Sequence, residues 1–208
     1  MKCFGNVKCA GIKKREIREY NMKKLLIVGA GGFGRVTLEH AQAEFECAFV
    51  DDTVPVGERV CGAEVVGTTD DIGRLRNRFE CLTVAIGNNA AREKFLKIAE
   101  NAGYALPNVI ARSAYISPFA KVGRGCVILN NAVIQNGAIV GDGVLINPGV
   151  EAHQDSVIGS HSLIYTNSVV RTFANVGERA KIGSNATVAT GAVVPADGVV
   201  GDGETVTN

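Results

Sequence analysis

Two clusters in this 208-residue chain combine residue types and spacing that suit chemistry. The first is Gly29-Ala30-Gly31-Gly32-Phe33-Gly34, set between the apolar run Leu25-Leu26-Ile27-Val28 and a helix-like Arg35–Ala41. Glycines between a strand and a helix let backbone N–H groups and the positive helix end approach a phosphate. Gly29, Gly31, Gly32 and Gly34 are therefore candidate ligand contacts, with close helix–strand packing as the plain alternative. Asp51 and Asp52 close the next apolar run, where a carboxylate can bond ribose hydroxyls or a base edge. Gly87 and Asn88 close the run Leu82–Ile86 in the same way. The second cluster is His153-Gln154-Asp155. Histidine is the side chain whose ordinary pKa suits proton transfer at neutral pH, and Asp155 is placed to orient it or an incoming amine. Gln154 accepts no proton at neutral pH but can orient a substrate. A solvated corner histidine is the simpler reading of His153, and His40 and His161 are expected at the surface. No metal site is expected.

The elements that must hold these residues are legible in two periods. From Ile110 to Val206 an aliphatic residue recurs every six positions, with Ala152 the one unbranched step. Four residues after each step the side chain is mostly Ala or Ser. A helix repeats at 3.6 and a strand at 2, so an unbroken six predicts a parallel β-helix of short stacked strands. Gly123, Gly141, Gly159 and Gly177 fall eighteen apart, so three hexads make one turn of a three-sided coil. The spacing predicts that this corner is a tight bend suited to glycine. His153 then lies in a column with Gln135, Arg171 and Ala189.

Ahead of the repeat, apolar runs alternate with helical patterns, which predicts a Rossmann-like βαβ domain. Strands are expected at 25–28, 48–50, 65–66 and 82–86, and helices at about 35–41, 70–78 and 90–102. The domains predicted are an extension, expected to be disordered, over 1–21, a nucleotide-binding domain over 22–107 and the β-helix over 108–208. With only about 85 residues, the first domain is too short for both mononucleotide halves of a dinucleotide fold. A nucleotide with one base, such as a nucleotide sugar, fits better, and a dehydrogenase becomes remote.

Composition excludes several classes. Hydrophobic residues make up 46% of the chain, yet no apolar run reaches the length of a membrane span. The formal charge is +1; residues 1–21 hold a surplus of positive charge, so the remainder is slightly acidic and offers no basic face for nucleic acid. Those first residues lack the apolar core of a secretory signal. The six cysteines show no CxxC spacing, which fits reduced thiols in the cytoplasm.

The run IVGAGGFGR, the Asp51-Asp52 pair, the run A-I-G-N-N-x-x-R from Ala85 and the hexad repeat together resemble the sialic acid O-acetyltransferase and bacillosamine N-acetyltransferase family. The resemblance spans roughly residues 22–194. It implies a left-handed β-helix and a homotrimer with active sites between adjacent prisms. It also implies acetyl-CoA as co-substrate and a nucleotide-linked amino sugar, or a sialic acid-type sugar, in surface-polysaccharide synthesis. The family's active coil reads I-N-x-G-x-x-x-x-H-[DE]-x-x-I-G, which aligns here from Ile146-Asn147-Pro148-Gly149 to Ile158-Gly159. Gln154 falls at the family's histidine, His153 one residue before it and Asp155 at the acidic position. Leu163 stands where a second histidine is often found. The resemblance makes Asn147 a substrate contact. It puts Thr172 where a glycine N–H receives the acetyl oxygen, and Thr190 follows in the same column. The expected roles are His153 as base, Asp155 as its partner and Gln154 as a positioning group. A nucleotide-sugar-binding or scaffold homologue without catalysis is the alternative.

Overall fold

The computed structural model describes residues 22–207, and the N-terminal extension lies outside the described residues. The chain builds a small α/β domain whose sheet is followed by a left-handed β-helix. In the first domain, β1 (Lys23–Val28), β2 (Phe45–Val50), β4 (Ala63–Gly67) and β5 (Cys81–Val84) are parallel, and β3 (Arg59–Val60) pairs antiparallel with β4. The order is β3-β4-β2-β1-β5. β1 therefore separates the strands that follow α1 (Gly32–Ala41) from β5 and α3 (Asn89–Asn101), and a crevice opens beyond its carboxyl end. Leu25 to Val28 are wholly buried, as a parallel strand covered on both faces requires. The helix expected over 70–78 is shorter: a 3₁₀ turn at Thr69–Asp71 leads into α2 (Ile72–Leu75).

From Val109 the chain winds through two-residue strands that form three parallel sheets of six, six and five. The first face holds Val109–Ile110, Val127–Ile128, Leu145–Ile146, Leu163–Ile164, Lys181–Ile182 and Val199–Val200. The second includes Tyr115–Ile116, Val133–Ile134, Glu151–Ala152 and Val169–Val170, and the third Ile139–Val140 and Val157–Ile158. Partners sit eighteen residues apart, as Glu151 with Val169 and Leu145 with Leu163. The aliphatic steps and the small residues behind them form one dry core. Serines in that core bond backbone carbonyls, as Ser156 Oγ does with His153 O at 2.7 Å.

The periodic glycines have a different use from the one expected. Gly123, Gly141, Gly159 and Gly177 are not the left-handed residues of their corner; that conformation falls two residues later, at Gly125, Gly143, His161, Arg179 and Asp197. At the earlier position an added Cβ would stand 2.6 Å from Ser160 N at Gly141 and 2.5 Å from Glu178 N at Gly159. These glycines let successive coils approach, rather than permit a bend.

The two domains share a core. Val109, Val127, Leu145 and Leu163 point outward from the first face and pack with Leu25, Ile27, Leu38 and Phe49. Burying each such side chain is worth about 1.5–3 kcal/mol. Beside this contact lies Arg92, fully buried on α3. Its Nε donates to Gly143 O at 2.8 Å and its Nη1 to Ile86 O at 2.8 Å. Nη2 donates to Ser162 O at 3.0 Å, to Asn89 Oδ1 at 2.9 Å and to His161 O. Asn89 Nδ2 in turn donates to Arg179 O at 2.6 Å and Ala180 O at 3.1 Å. Burial pulls the Arg92 guanidinium down to about 10, so it remains a cation at neutral pH and is solvated entirely by neutral oxygens.

Candidate active site

The glycine run forms one wall of a crevice of about 360 Å³ at the carboxyl ends of β1, β2 and β5. Its lining includes Gly29, Gly31, Gly32, Phe33, Asp51, Asp52, Ile86, Gly87 and Phe95. The glycines divide into two pairs. Gly29 has φ +97°, and a Cβ there would lie 3.0 Å from Ile86 Cγ1. At Gly34 a Cβ would strike the Gly29 carbonyl. Those two serve packing. Gly31 and Gly32 have nothing within 4 Å of an added Cβ, so their bare backbone faces the crevice at the start of the ten-residue α1. The first N–H groups of a helix have no partner within it. Among the described residues, Asp51 and Asp52 are the charged groups lining the crevice, with no Lys or Arg beside them. An anion there would be held by the backbone and the helix end.

The two aspartates are more committed than the sequence implies. Asp51 Oδ2 accepts from Ala30 N at 2.7 Å, and Oδ1 from Thr53 N at 2.8 Å, Thr53 Oγ1 at 2.6 Å and Val54 N at 3.1 Å. Partial burial would raise its carboxyl, but these hydrogen bonds outweigh that and hold it below its ordinary value. Asp52 accepts from Thr69 N at 2.8 Å and Thr69 Oγ1 at 2.9 Å. Both fix the loops that shape the crevice before any ligand arrives. Gly87 lets Phe33 lie across it, since a Cβ would come 3.0 Å from the ring. Asn88 Oδ1 caps α3 by accepting from Ala91 N at 2.9 Å.

The second cluster lies elsewhere. His153, Gln154 and Asp155 form the corner between the second and third faces, which is the edge of the prism opposite the face covered by the α/β domain. One chain therefore does not bring its crevice to its own His153. Gln154 Oε1 accepts from Thr172 Oγ1 at 3.2 Å, joining neighbouring coils of one column. The Thr172 N–H has no acceptor among the described residues, and Thr190 is exposed one coil further on. Gln154 also lines a shallow cavity of about 400 Å³ with Tyr115, Phe119, Gln135 and Asn136.

Three expectations change here. Asp155 is not the partner of His153: it occupies the left-handed corner at φ 57°, and its carboxylate lies over Gly137 of the preceding coil. The carboxylate on His153 is Glu151, with Oε2 3.1 Å from Nε2. Asn147, expected to touch substrate, is 8% exposed and donates its Nδ2 to Ile164 O at 3.0 Å. Its amide closes a corner instead. His161 is half-buried rather than superficial, in a groove under α3 with Glu93, Leu96 and Asp142. Burial pulls its pKa below the ordinary value, with Arg92 adding to that and Glu93 opposing it. The sequence reading missed the roles of Asn89, Arg92 and Glu151. The first two stand in the quoted A-I-G-N-N-x-x-R run, and Glu151 is marked only by its two-residue offset from His153.

An α/β crevice with a bare helix end is thus joined to a β-helix whose open corner carries a histidine. Residues 24–99 match the family described as PglD N-terminal domain, and residues 119–154 match the bacterial transferase hexapeptide (six repeats). PerB from Caulobacter crescentus, solved with CoA and GDP-perosamine, is 31% identical, with 89% of each chain covered and a TM-score of 0.84. The acetyltransferase domain of PglB from Neisseria gonorrhoeae, solved with acetyl coenzyme A, is 31% identical over 88% of this chain and 89% of that one, with a TM-score of 0.83. WeeI from Acinetobacter baumannii shares the fold at 21% identity, with 90% and 97% covered and a TM-score of 0.74. No curated protein sequence matches. The chain belongs to the sialic acid O-acetyltransferase and bacillosamine N-acetyltransferase family of hexapeptide-repeat acyltransferases.

Proposed function

We propose that this protein transfers the acetyl group of acetyl-CoA to the amino group of a nucleotide-linked sugar. The observation that carries this is the crevice walled by the bare Gly31 and Gly32 backbone, in a chain 31% identical over 89% of its length to an enzyme holding CoA and GDP-perosamine. The crevice takes the nucleotide, with its phosphates at the start of α1 and an aromatic wall of Phe33 and Phe95 beside the base or sugar. Acetyl-CoA supplies the thioester. The residues at the open corner fit it: the Thr172 N–H is free for the acetyl oxygen, and Thr190 continues the column. His153 takes the proton that the amine loses as its nitrogen bonds the acetyl carbon. It returns that proton to the sulfur freed when the carbon–sulfur bond breaks, so amine and thioester become amide and thiol. Gln154 steadies the reacting groups from beside Thr172.

Because the crevice and the His153 corner lie on opposite sides of one prism, the working enzyme is a homotrimer in which neighbours complete each other's sites. Support comes from the apolar side chains left open around that corner, Tyr115 at 57%, Phe119 at 70% and Phe173 at 64% exposed. The unpaired Cys47, Cys81 and Cys126 fit a cytoplasmic enzyme, and no helix of the described residues is long and apolar enough to cross a membrane.

The test is a thermal-shift screen of nucleotide amino sugars and acyl-CoAs, followed by an assay of thiol release. A nucleotide amino sugar should raise the melting temperature, and thiol should appear only when the amine is present. No shift with any nucleotide sugar and no amine-dependent thiol release would refute the reading. Light scattering should give about 65 kDa for three chains of 21.8 kDa; a stable monomer at micromolar concentration would contradict the trimer.

A further inference from the structure

The corner histidine has one fixed neighbour, and that neighbour decides which of its nitrogens is open to a proton. Glu151 stands two residues before His153, so both side chains leave the second face on the same side. Its Oε2 lies 3.1 Å from His153 Nε2. In register on either side of Glu151 stand Val133 and Val169, so no charge on adjoining strands competes for the carboxylate. Two other charged groups flank the histidine, Arg171 in the next coil of its column and Asp155 across the corner. Neither forms an ion pair with it. An ionised carboxylate only accepts hydrogen bonds. The contact is therefore Nε2–H to Oε2, and in the neutral ring that places the lone pair on Nδ1.

We infer that Glu151 is a positioning residue that holds His153 as its Nε2–H tautomer and so makes Nδ1 the atom that receives the amine proton. This rests on the acetyl-transfer reading above and gives the orienting role to a carboxylate other than Asp155. Nδ1 gains the proton as the nitrogen–carbon bond forms and loses it to the departing sulfur. The Nε2 proton stays on the ring throughout, and Glu151 stays ionised.

The chain has three histidines, so ¹⁵N-histidine labelling of the whole protein gives a readable long-range proton–nitrogen spectrum, with His153→Gln identifying the signal. Wild type at a pH where the ring is neutral should show a protonated Nε2 and a bare Nδ1. Glu151→Ala should give a mixture of tautomers and lower kcat by at least about tenfold, a part of what a general base contributes. Both KM values should stay within about twofold. Glu151→Gln can still accept from Nε2–H and should keep the tautomer and most of the rate. In a His153→Ala background, Glu151→Ala should cost nothing further. A proton on Nδ1 in wild type, or an equal loss from Glu151→Ala with and without His153, would overturn the inference. The expected tautomer in a protein that transfers no acetyl group would support the Glu151 contact and refute the acetyl-transfer reading.

Discussion

The glycine crevice and the histidine corner are built on opposite principles. Around the crevice the chain satisfies its own polar groups: Asp51 ties Ala30 to Thr53 and Val54, Asp52 ties Thr69, and Asn88 caps α3. What stays open there is backbone at Gly31 and Gly32. Around the corner the Thr172 N–H has no acceptor among the described residues, and Tyr115, Phe119 and Phe173 stay exposed. The crevice is pre-organised within one chain, whereas in the proposed trimer the corner is completed by a neighbour. Binding should therefore survive changes that abolish turnover, and turnover should depend on assembly as well as on residues.

The sharpest way to break this contrast is at the corner. His153→Ala should lower kcat by about 10²–10⁴, the usual contribution of a general base, while nucleotide-sugar affinity by calorimetry stays near wild type. A matching loss of affinity would mean the two regions are not separable. Next in size is the latch between domains. Arg92→Ala leaves the carbonyls of Ile86, Gly143 and His161 without their donor, while Ser162 O keeps the Leu145 N–H. At about 1–3 kcal/mol for each buried group left unsatisfied, the loss should be about 3 kcal/mol or more. Calorimetry should then show a melting temperature lower by roughly 6–12 °C. An unchanged melting curve would deny Arg92 that role.

Within the crevice, two glycines separate ligand contact from packing. Gly31→Val puts a side chain into open space on the ligand's path, so affinity should fall at least about tenfold, roughly 1.4 kcal/mol, with melting unchanged. Gly34→Val drives a Cβ into the Gly29 carbonyl, so it should destabilise the domain. If Gly31→Val binds normally, the bare backbone at Gly31 does not lie on the ligand's path. The smallest effect concerns Gln154. Gln154→His puts a histidine where the sequence resemblance expects one and should equal or exceed wild-type turnover, whereas Gln154→Ala should weaken binding more than chemistry. Acetyl transfer by Gln154→His but not by wild type would make the natural protein a binder.

The β-helix was legible because its signal is a period: each inward Ile or Val repeats one physical demand, sixteen residues' worth of it outweighing Ala152. Local patterns also marked the buried strands and α1, but they overextended the helix at 70–78 and left the short strand Arg59–Val60 unmarked. What escaped were features created by stacking. Gly141 looks like a turn residue until the next coil's Ser160 N is placed beside it. Arg92 reads as an exposed helix charge, because the carbonyls that solvate it come from coils 51 to 70 residues away. Asp155 beside His153 in sequence suggested a pair, but a left-handed corner turns it onto Gly137, and the two-residue alternation of a strand favours Glu151.

Whether one chain holds the nucleotide while its neighbour supplies the base is decided by mixing two variants, each impaired alone, at a nucleotide-sugar concentration well below the wild-type dissociation constant. Chains carrying His153→Ala keep a working crevice, and chains carrying Gly31→Val keep a working corner. Co-assembled at equal amounts, they should regain about a quarter of the wild-type rate, the fraction of sites in a ring of chains that pair an intact crevice with an intact corner. A mixture as impaired as its components, with light scattering showing that mixed trimers formed, would contradict the account.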